Sequence, residues 1–231
     1  MRRVWTVAEM TLRETLRRRA VLVLLLALPL GFYATRGGDH TGQAIRSLFL
    51  GLSWAVSVAG LFASAASRQI EPRLRLSGYR SHHLYLGRLG ALLVLGVTLA
   101  VPLFLLVVVD MGAERMRLGA IAVAMGFCIT VGAPFGMLIA ALLSRELEGT
   151  LLLLAVVGMQ MTIDPVSAAS RLTPLWSSRE LAFFAIDHTD SGYLIRGLLH
   201  GLGYTALLIL LVAVVSTVRL RHRSHLRLTT G

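Results

Sequence analysis

The stretch SRQIEPRLRLSGYRSHHLYLGR, Ser67–Arg88, carries five arginines, one glutamate and one proline between two of the most apolar runs in the chain. Those flanking runs decide the fold class. Each is about as long as a bilayer core of roughly 30 Å requires, so the pair reads as two transmembrane helices joined by a charged connection. Working outward, six such segments can be marked: about Ala20 to Ala34, Ile45 to Ala66, Leu89 to Val109, Leu118 to Leu143, Thr150 to Ile163 and Ile195 to Val218. Continuous runs of this length favour helices over barrel strands, which alternate over about ten residues. A helix also satisfies its own backbone polar groups, as lipid demands. The expected fold is all-α and integral to the membrane, with six transmembrane helices in one domain, 1–231.

Composition agrees. Hydrophobic residues make up 55% of the 231 positions and the mean hydropathy is +0.72, which leaves no room beside the spans for a soluble catalytic domain. The formal net charge is +11, and all 23 Lys/Arg positions are arginine. A basic balance points to nucleic acid or to a membrane surface. The arginines collect at the ends of apolar runs and no aromatic residues interleave a basic patch, so membrane lipid is the expected partner and nucleic acid is not. An all-arginine usage is associated with GC-rich bacterial genomes, and the expected location is the cytoplasmic (inner) membrane of a bacterium. Cys128, the single cysteine, excludes an intramolecular disulfide and a Cys-rich metal site. Inside an apolar run it reads as a small buried hydrophobe. No cleavable signal peptide is expected, because no small-residue cleavage site follows the first apolar run.

Arginine asymmetry orients the spans. The N-terminus, Arg68 to Arg88, Arg145 and the tail from Arg219 hold 16 arginines; Arg36, Arg46, Arg115, Arg117, Arg171, Arg179 and Arg196, in the alternate connections, make seven. The first set is expected in the cytoplasm, with both termini inside and 219–231 a cytoplasmic tail. Residues 1–19 read as an amphipathic helix at the inner interface, with Trp5, Ala8, Leu12 and Leu16 on one face and Glu9, Arg13 and Arg17 on another. The fifth run is short: its fourteen residues reach roughly 21 Å. Asp164 and Pro165 stop it, and 164–194 remains moderately apolar, with Trp176, Phe183 and Phe184. Short helices re-entering the outer leaflet before the sixth span answer this pattern, as does an external loop resting on the interface. Pro29, Pro102 and Pro134 lie inside spans, where a missing donor kinks a helix.

No catalytic constellation stands out. There is no Walker phosphate loop, no HExxH and no Gly-x-Ser-x-Gly elbow. Asp110, Glu114 and Asp164 sit at span ends, which disfavours an ion-coupled carrier. No metal site or cofactor is expected in the chain; His82, His83, His222 and His225 read as solvated groups near headgroups. The opening stretch is then an interaction element. Glu71 and Pro72 suit the first turn of a helix. Leu74, Leu76, Tyr79 and Leu84 supply apolar contacts among Arg73, Arg75 and Arg80, and Gly78 ends the helix. Such a helix fits a partner's groove; a loop held by lipid phosphates through its arginines accounts equally for the spacing.

Six spans, an amphipathic N-terminal helix, a Glu-containing cytoplasmic helix after the second span and a re-entrant stretch before the sixth resemble the ABC transporter type-2 permeases. That family often carries "ERxxGT" and a leucine pair in this loop. Here SRQIEPRLRLSGY keeps Glu71, Leu74, Leu76 and Gly78 without the Gly-Thr, while RELEGTLLLL, Arg145–Leu154, places Glu148, Gly149 and Thr150 in the other cytoplasmic loop. The resemblance implies the membrane half of an ABC exporter, not itself an enzyme. A separate ABC ATPase subunit would carry ATP and Mg. A second permease copy, identical or related, would complete the path for an amphiphilic drug, peptide or lipid-like substrate. Within 67–88, Glu71, Pro72, Arg73, Leu74, Arg75, Leu76, Gly78 and Tyr79 would form the ATPase-coupling helix. Arg145, Glu146 and Glu148 would form a second contact, and Trp176, Phe183 and Phe184 an outer gate. The other function class that suits the same loop is a non-transporting membrane anchor or immunity protein binding a cytoplasmic partner.

Overall fold

The computed structural model describes residues 2–35, 41–68, 70–112, 114, 116–143, 145–163, 167–187 and 189–222. The side chains of Thr41, Pro72, Arg75, Ala168 and 218–222 lie outside the described set, as do Arg36, Arg115, Asp164, Pro165 and 223–231. Every regular element among the described residues is helical: α1 (Arg2–Arg17), α2 (Arg19–Ala34), α3 (Thr41–Ser67), α4 (Glu71–Leu76), α5 (Ser81–Met111), α6 (Leu118–Leu142), α7 (Glu146–Thr162), a 3-10 turn (Ala168–Leu172), α8 (Trp176–Ile186) and α9 (Ser191–His222).

Four of these helices are long and apolar enough to cross a membrane: α3 over Gly42–Ser67, α5 over Ser81–Met111, α6 over Leu118–Leu142 and α9 over Ser191–Thr217. The expected count of six is therefore corrected to four. The run from Ala20 forms a helix of 16 residues, and the run from Thr150 sits in one of 17 that opens on Glu146 and Glu148. At 1.5 Å per residue they reach only about 24 and 26 Å, short of the roughly 30 Å of hydrocarbon. The chain is an all-α, multi-pass membrane protein.

α3 and α6 form the centre, and small residues let them meet. A Cβ on Gly136 would lie 1.9 Å from the Ser57 carbonyl oxygen, one on Gly132 2.9 Å from that of Ser53, and one on Gly60 2.8 Å from that of Ala133. Backbones this close require glycine at the crossing. Ser57 Oγ donates to the Ser53 carbonyl at 2.8 Å, which satisfies its buried hydroxyl inside α3. α2 packs on α3 in the same way: a Cβ on Gly51 would come within 2.7 Å of Pro29 Cα. α2, α5 and α6 each continue as one helix through Pro29, Pro102 and Pro134.

The outer faces are apolar. Val94, Val97, Val101, Leu105 and Val109 stand more than half exposed along α5, and Ile195, Leu199, Leu202 and Leu210 do so along α9. Helical spacing gathers each set on one side, where a bilayer rather than water is the matching solvent.

The bundle has two chemically different ends. At one, Arg3 of α1 donates to the Gly78 carbonyl just past α4. At this same end the guanidinium of Arg68 donates to the Ala140 and Leu143 carbonyls at 2.8 and 3.1 Å, so a cation terminates α6. At the opposite end Arg46 pairs with Asp187, Tyr33 donates to Asp110, and the Arg117 amide donates to the Ala185 carbonyl at 3.1 Å. α8 runs antiparallel to the start of α9. Phe183 meets Tyr193 at 6.0 Å, Trp176 meets His200 at 5.0 Å, and Tyr204 donates to the Leu172 carbonyl at 3.1 Å. His200 lies nine residues past Ser191, so the base of α8 sits roughly 14 Å along α9.

Candidate functional site

The arginine-rich end is built by α1, α4 and the first turns of α5. Val7 packs on Gly87, where a Cβ would come within 2.6 Å, so α1 lies against α5 along a glycine-made notch. This leaves Trp5 and Leu16 exposed at 74% and 44%. The expected apolar face therefore divides: Ala8 and Leu12 are half-buried and Trp5 and Leu16 are free for lipid, while the buried Val7 lies outside that face.

α4 is only six residues long, too short to persist through its own hydrogen bonds. Its C-terminus supplies the missing rigidity. Gly78 adopts φ +82°, and the Tyr79 amide donates back to the Leu74 carbonyl at 3.1 Å. That long-range bond with a left-handed glycine is the Schellman arrangement. Arg3 then holds the turn from outside, its guanidinium on the Gly78 carbonyl and 5.7 Å from the Tyr79 ring.

The residues singled out in this stretch divide by face. Glu71 points inward and lines a small cavity with Arg68, Arg88, Ser64 and Ser216. Leu74 and Tyr79 are half-buried. Arg73 and Gly78 are exposed, and Leu76 is exposed at 83%. The side chains of Pro72 and Arg75 lie outside the described residues. Glu71 is thus a counter-ion to the arginines beneath α4, and among the described side chains Arg73 and Leu76 face outward.

The second loop lies at the same end, tied to the first through the bonds from Arg68 to Ala140 and Leu143. Arg145 and Glu148 face one another at 3.8 Å with side chains 82% and 49% exposed, and Glu146 is exposed beside them. Gly149 has a packing role: a Cβ there would lie 2.7 Å from Leu61 Cδ1, so glycine brings α7 onto α3.

The aromatic residues considered for an outer gate are placed separately. Trp176 is buried at the base of α8 against His200. Phe183 and Phe184 lie at the opposite end as platforms for arginines: Arg46 sits 3.6 Å from the Phe183 ring centre and Arg117 4.1 Å from that of Phe184. Trp176 thus lies about two turns of α8 from Phe183 and Phe184.

Two charged arrangements went unread in the sequence. Glu180, 7% exposed on α8, accepts from Arg196 Nε of α9 at 3.1 Å. Arg88 has a buried Nε with no hydrogen-bond partner. Each had a signal, an arginine set six to eight residues inside an apolar helix, which demands a counter-ion or an anion. Among the described residues no group of three or more His, Cys, Asp or Glu could hold a metal ion.

Arginines also surround a cavity of about 560 Å³ between α1, α4 and α5, with Arg13, Arg17, Arg18 and Arg88 in its lining. No protein-family model matches the chain and no curated protein matches its sequence, so the geometry of this end carries the functional reading.

Proposed function

We propose that the chain is the membrane subunit of an ABC-type exporter in a bacterial inner membrane, with its arginine-rich end in the cytoplasm and ATP hydrolysed on a separate subunit docked there. The observation that carries this reading is Leu76. It stands 83% exposed on a helix whose end is locked by Gly78 and Arg3, beside exposed Arg73. A rigid, capped helix with one protruding leucine and a flanking cation is suited to transmit force to a partner's groove. An ATPase that binds nucleotide differently in two conformations would drive it. The Arg145–Glu148 loop at the same end adds a second contact.

The centre of the bundle supports a two-copy arrangement. α3 and α6 meet backbone to backbone at Gly132 and Gly136, which leaves no path between them. A route for an amphiphilic substrate would lie on an outer face completed by a second permease, identical or related.

The test is co-purification from the native host in mild detergent, comparing wild type with Leu76→Asp. Glu71 is the wrong residue to change, because it faces Arg88 inside the protein. A stoichiometric subunit with a Walker phosphate loop is expected with wild type and lost with Leu76→Asp, while the variant keeps its elution volume and helicity. A different cytoplasmic partner, with no ATPase, would replace this reading by that of a membrane anchor.

A further inference from the structure

We infer that the arginine-lined cavity and the groove beside it form one binding site for an anionic phospholipid. The cavity of about 560 Å³ is bounded by α1, α4 and the start of α5. A second space of about 430 Å³ runs between α2 and α3, past Leu24, Leu25, Leu28, Val58 and Phe62. The two share Thr11, Glu14, Arg18 and Ser67, so the last turns of α1 form a common wall between them. One is basic and the other mostly apolar, with Glu146 in its lining, and they meet at the level where α1 passes into α2.

Charge selects the occupant. Arg13, Arg17, Arg18 and Arg88 line the cavity against one acid, Glu14. Arg13 pairs with Glu9 at 2.6 Å and Arg18 with Glu14 at 3.1 Å, which leaves Arg17 without an ion pair among the described residues. Arg88 lies deepest, its Nε buried and unpartnered although Glu71 lines the small cavity beside it. Arg88 is half-buried and only its Nε is enclosed without a partner, a placement that favours an anion beside the guanidinium. A phosphodiester meets that need and leaves Arg17 and Arg18 at the rim.

The groove distinguishes a lipid from a free anion. Leu24 and Phe62 are exposed at 67% and 41%, so the groove opens sideways where the bilayer stands. An acyl chain entering there buries apolar area continuous with its own headgroup in the cavity. The last residues of the chain itself, with Arg223 and Arg227, have the wrong sign for it.

Lipid binding to the purified, delipidated protein is measured by native mass spectrometry with phosphatidylglycerol and phosphatidylcholine, which share acyl chains. Phosphatidylglycerol is expected to bind at least about ten-fold more tightly. Arg17→Gln, at an exposed rim position, is expected to weaken it about five-fold, the worth of one arginine near an anionic surface. Arg88→Gln acts in the same direction with a larger effect. Val58→Trp, which fills the groove without touching charge, is expected to weaken both lipids alike, and each variant is checked for unchanged helicity. Equal affinity for the two lipids, or phosphatidylglycerol binding unmoved by Arg17→Gln, overturns the site. Inorganic phosphate displacing phosphatidylglycerol at equal concentration, with Val58→Trp without effect, overturns the lipid in favour of a simple anion site.

Discussion

At the scale of single residues, the glycines of α6 separate into two kinds that hydropathy does not distinguish. Gly136 has the Ser57 carbonyl oxygen 1.9 Å from where a Cβ would sit, whereas Gly126 has nothing within 4 Å. The obstacle at Gly136 is backbone on another helix, so it cannot rotate away. Gly136→Ala is expected to push α3 from α6 and cost about 2–3 kcal/mol, the scale of overpacking. Gly126→Ala is expected to be neutral or to stabilise by up to about 1 kcal/mol, through the better helix propensity of alanine. Thermal unfolding in a single detergent compares the two. Equal behaviour would mean that α3 and α6 do not meet at this crossing. The sequence displayed both glycines as small residues in a span, but the distinction depends on a neighbour some eighty positions away and was not legible.

At the scale of elements, α4 illustrates what local sequence can and cannot specify. Its start and stop were legible, because an acid favours the first turn and Gly78 alone in the stretch accepts a left-handed backbone at no cost. Its facing was not, because a six-residue helix turns whichever side the next element demands. Here that element is α5, whose Arg88 sits in the lining shared with Glu71 and draws the acid inward. Gly78→Ala forces a Cβ into φ +82° and is expected to cost about 1–2 kcal/mol at that position. α4 is short and peripheral, so the loss should be spent locally. Hydrogen exchange across residues 70–79 is expected to speed up about ten-fold while the midpoint of global unfolding stays within a degree or two. A global loss of stability would instead make α4 part of the cooperative core. α8 shows the reverse case. Its apolar residues were visible, but burial of Glu180 became evident only when α9 brought Arg196 alongside.

At the scale of the whole molecule, long apolar runs made the helical membrane class legible, and the same runs overcounted the spans. The apolar runs in α2 and α7 are only 15 and 14 residues long, and the helices that contain them extend to just 16 and 17. Counting every apolar run as a span took in these two short ones, and neither the end of α2 at Thr35 nor the start of α7 at Glu146 lengthens its helix to the roughly 30 Å of hydrocarbon. Among the described residues, Arg3, Arg68 and Arg145 share one end of the bundle and Arg46 and Arg117 the other. Leu76 and Glu114 are exposed at opposite ends of α5, with the helix bundle between them. Cys128 is fully buried, so the native thiol is a silent background for labelling. Leu76→Cys and Glu114→Cys, each alone, can therefore be tested in intact cells with a maleimide that does not cross the inner membrane. Glu114→Cys is expected to label from outside, and Leu76→Cys only after the membrane is opened, because arginine-rich connections are retained on the cytoplasmic side. Labelling of Leu76→Cys from outside would place α4 beyond the reach of any cytoplasmic ATPase and remove the exporter reading at its root. The reciprocal pattern puts the one protruding leucine of that short, capped helix on the side where ATP is available.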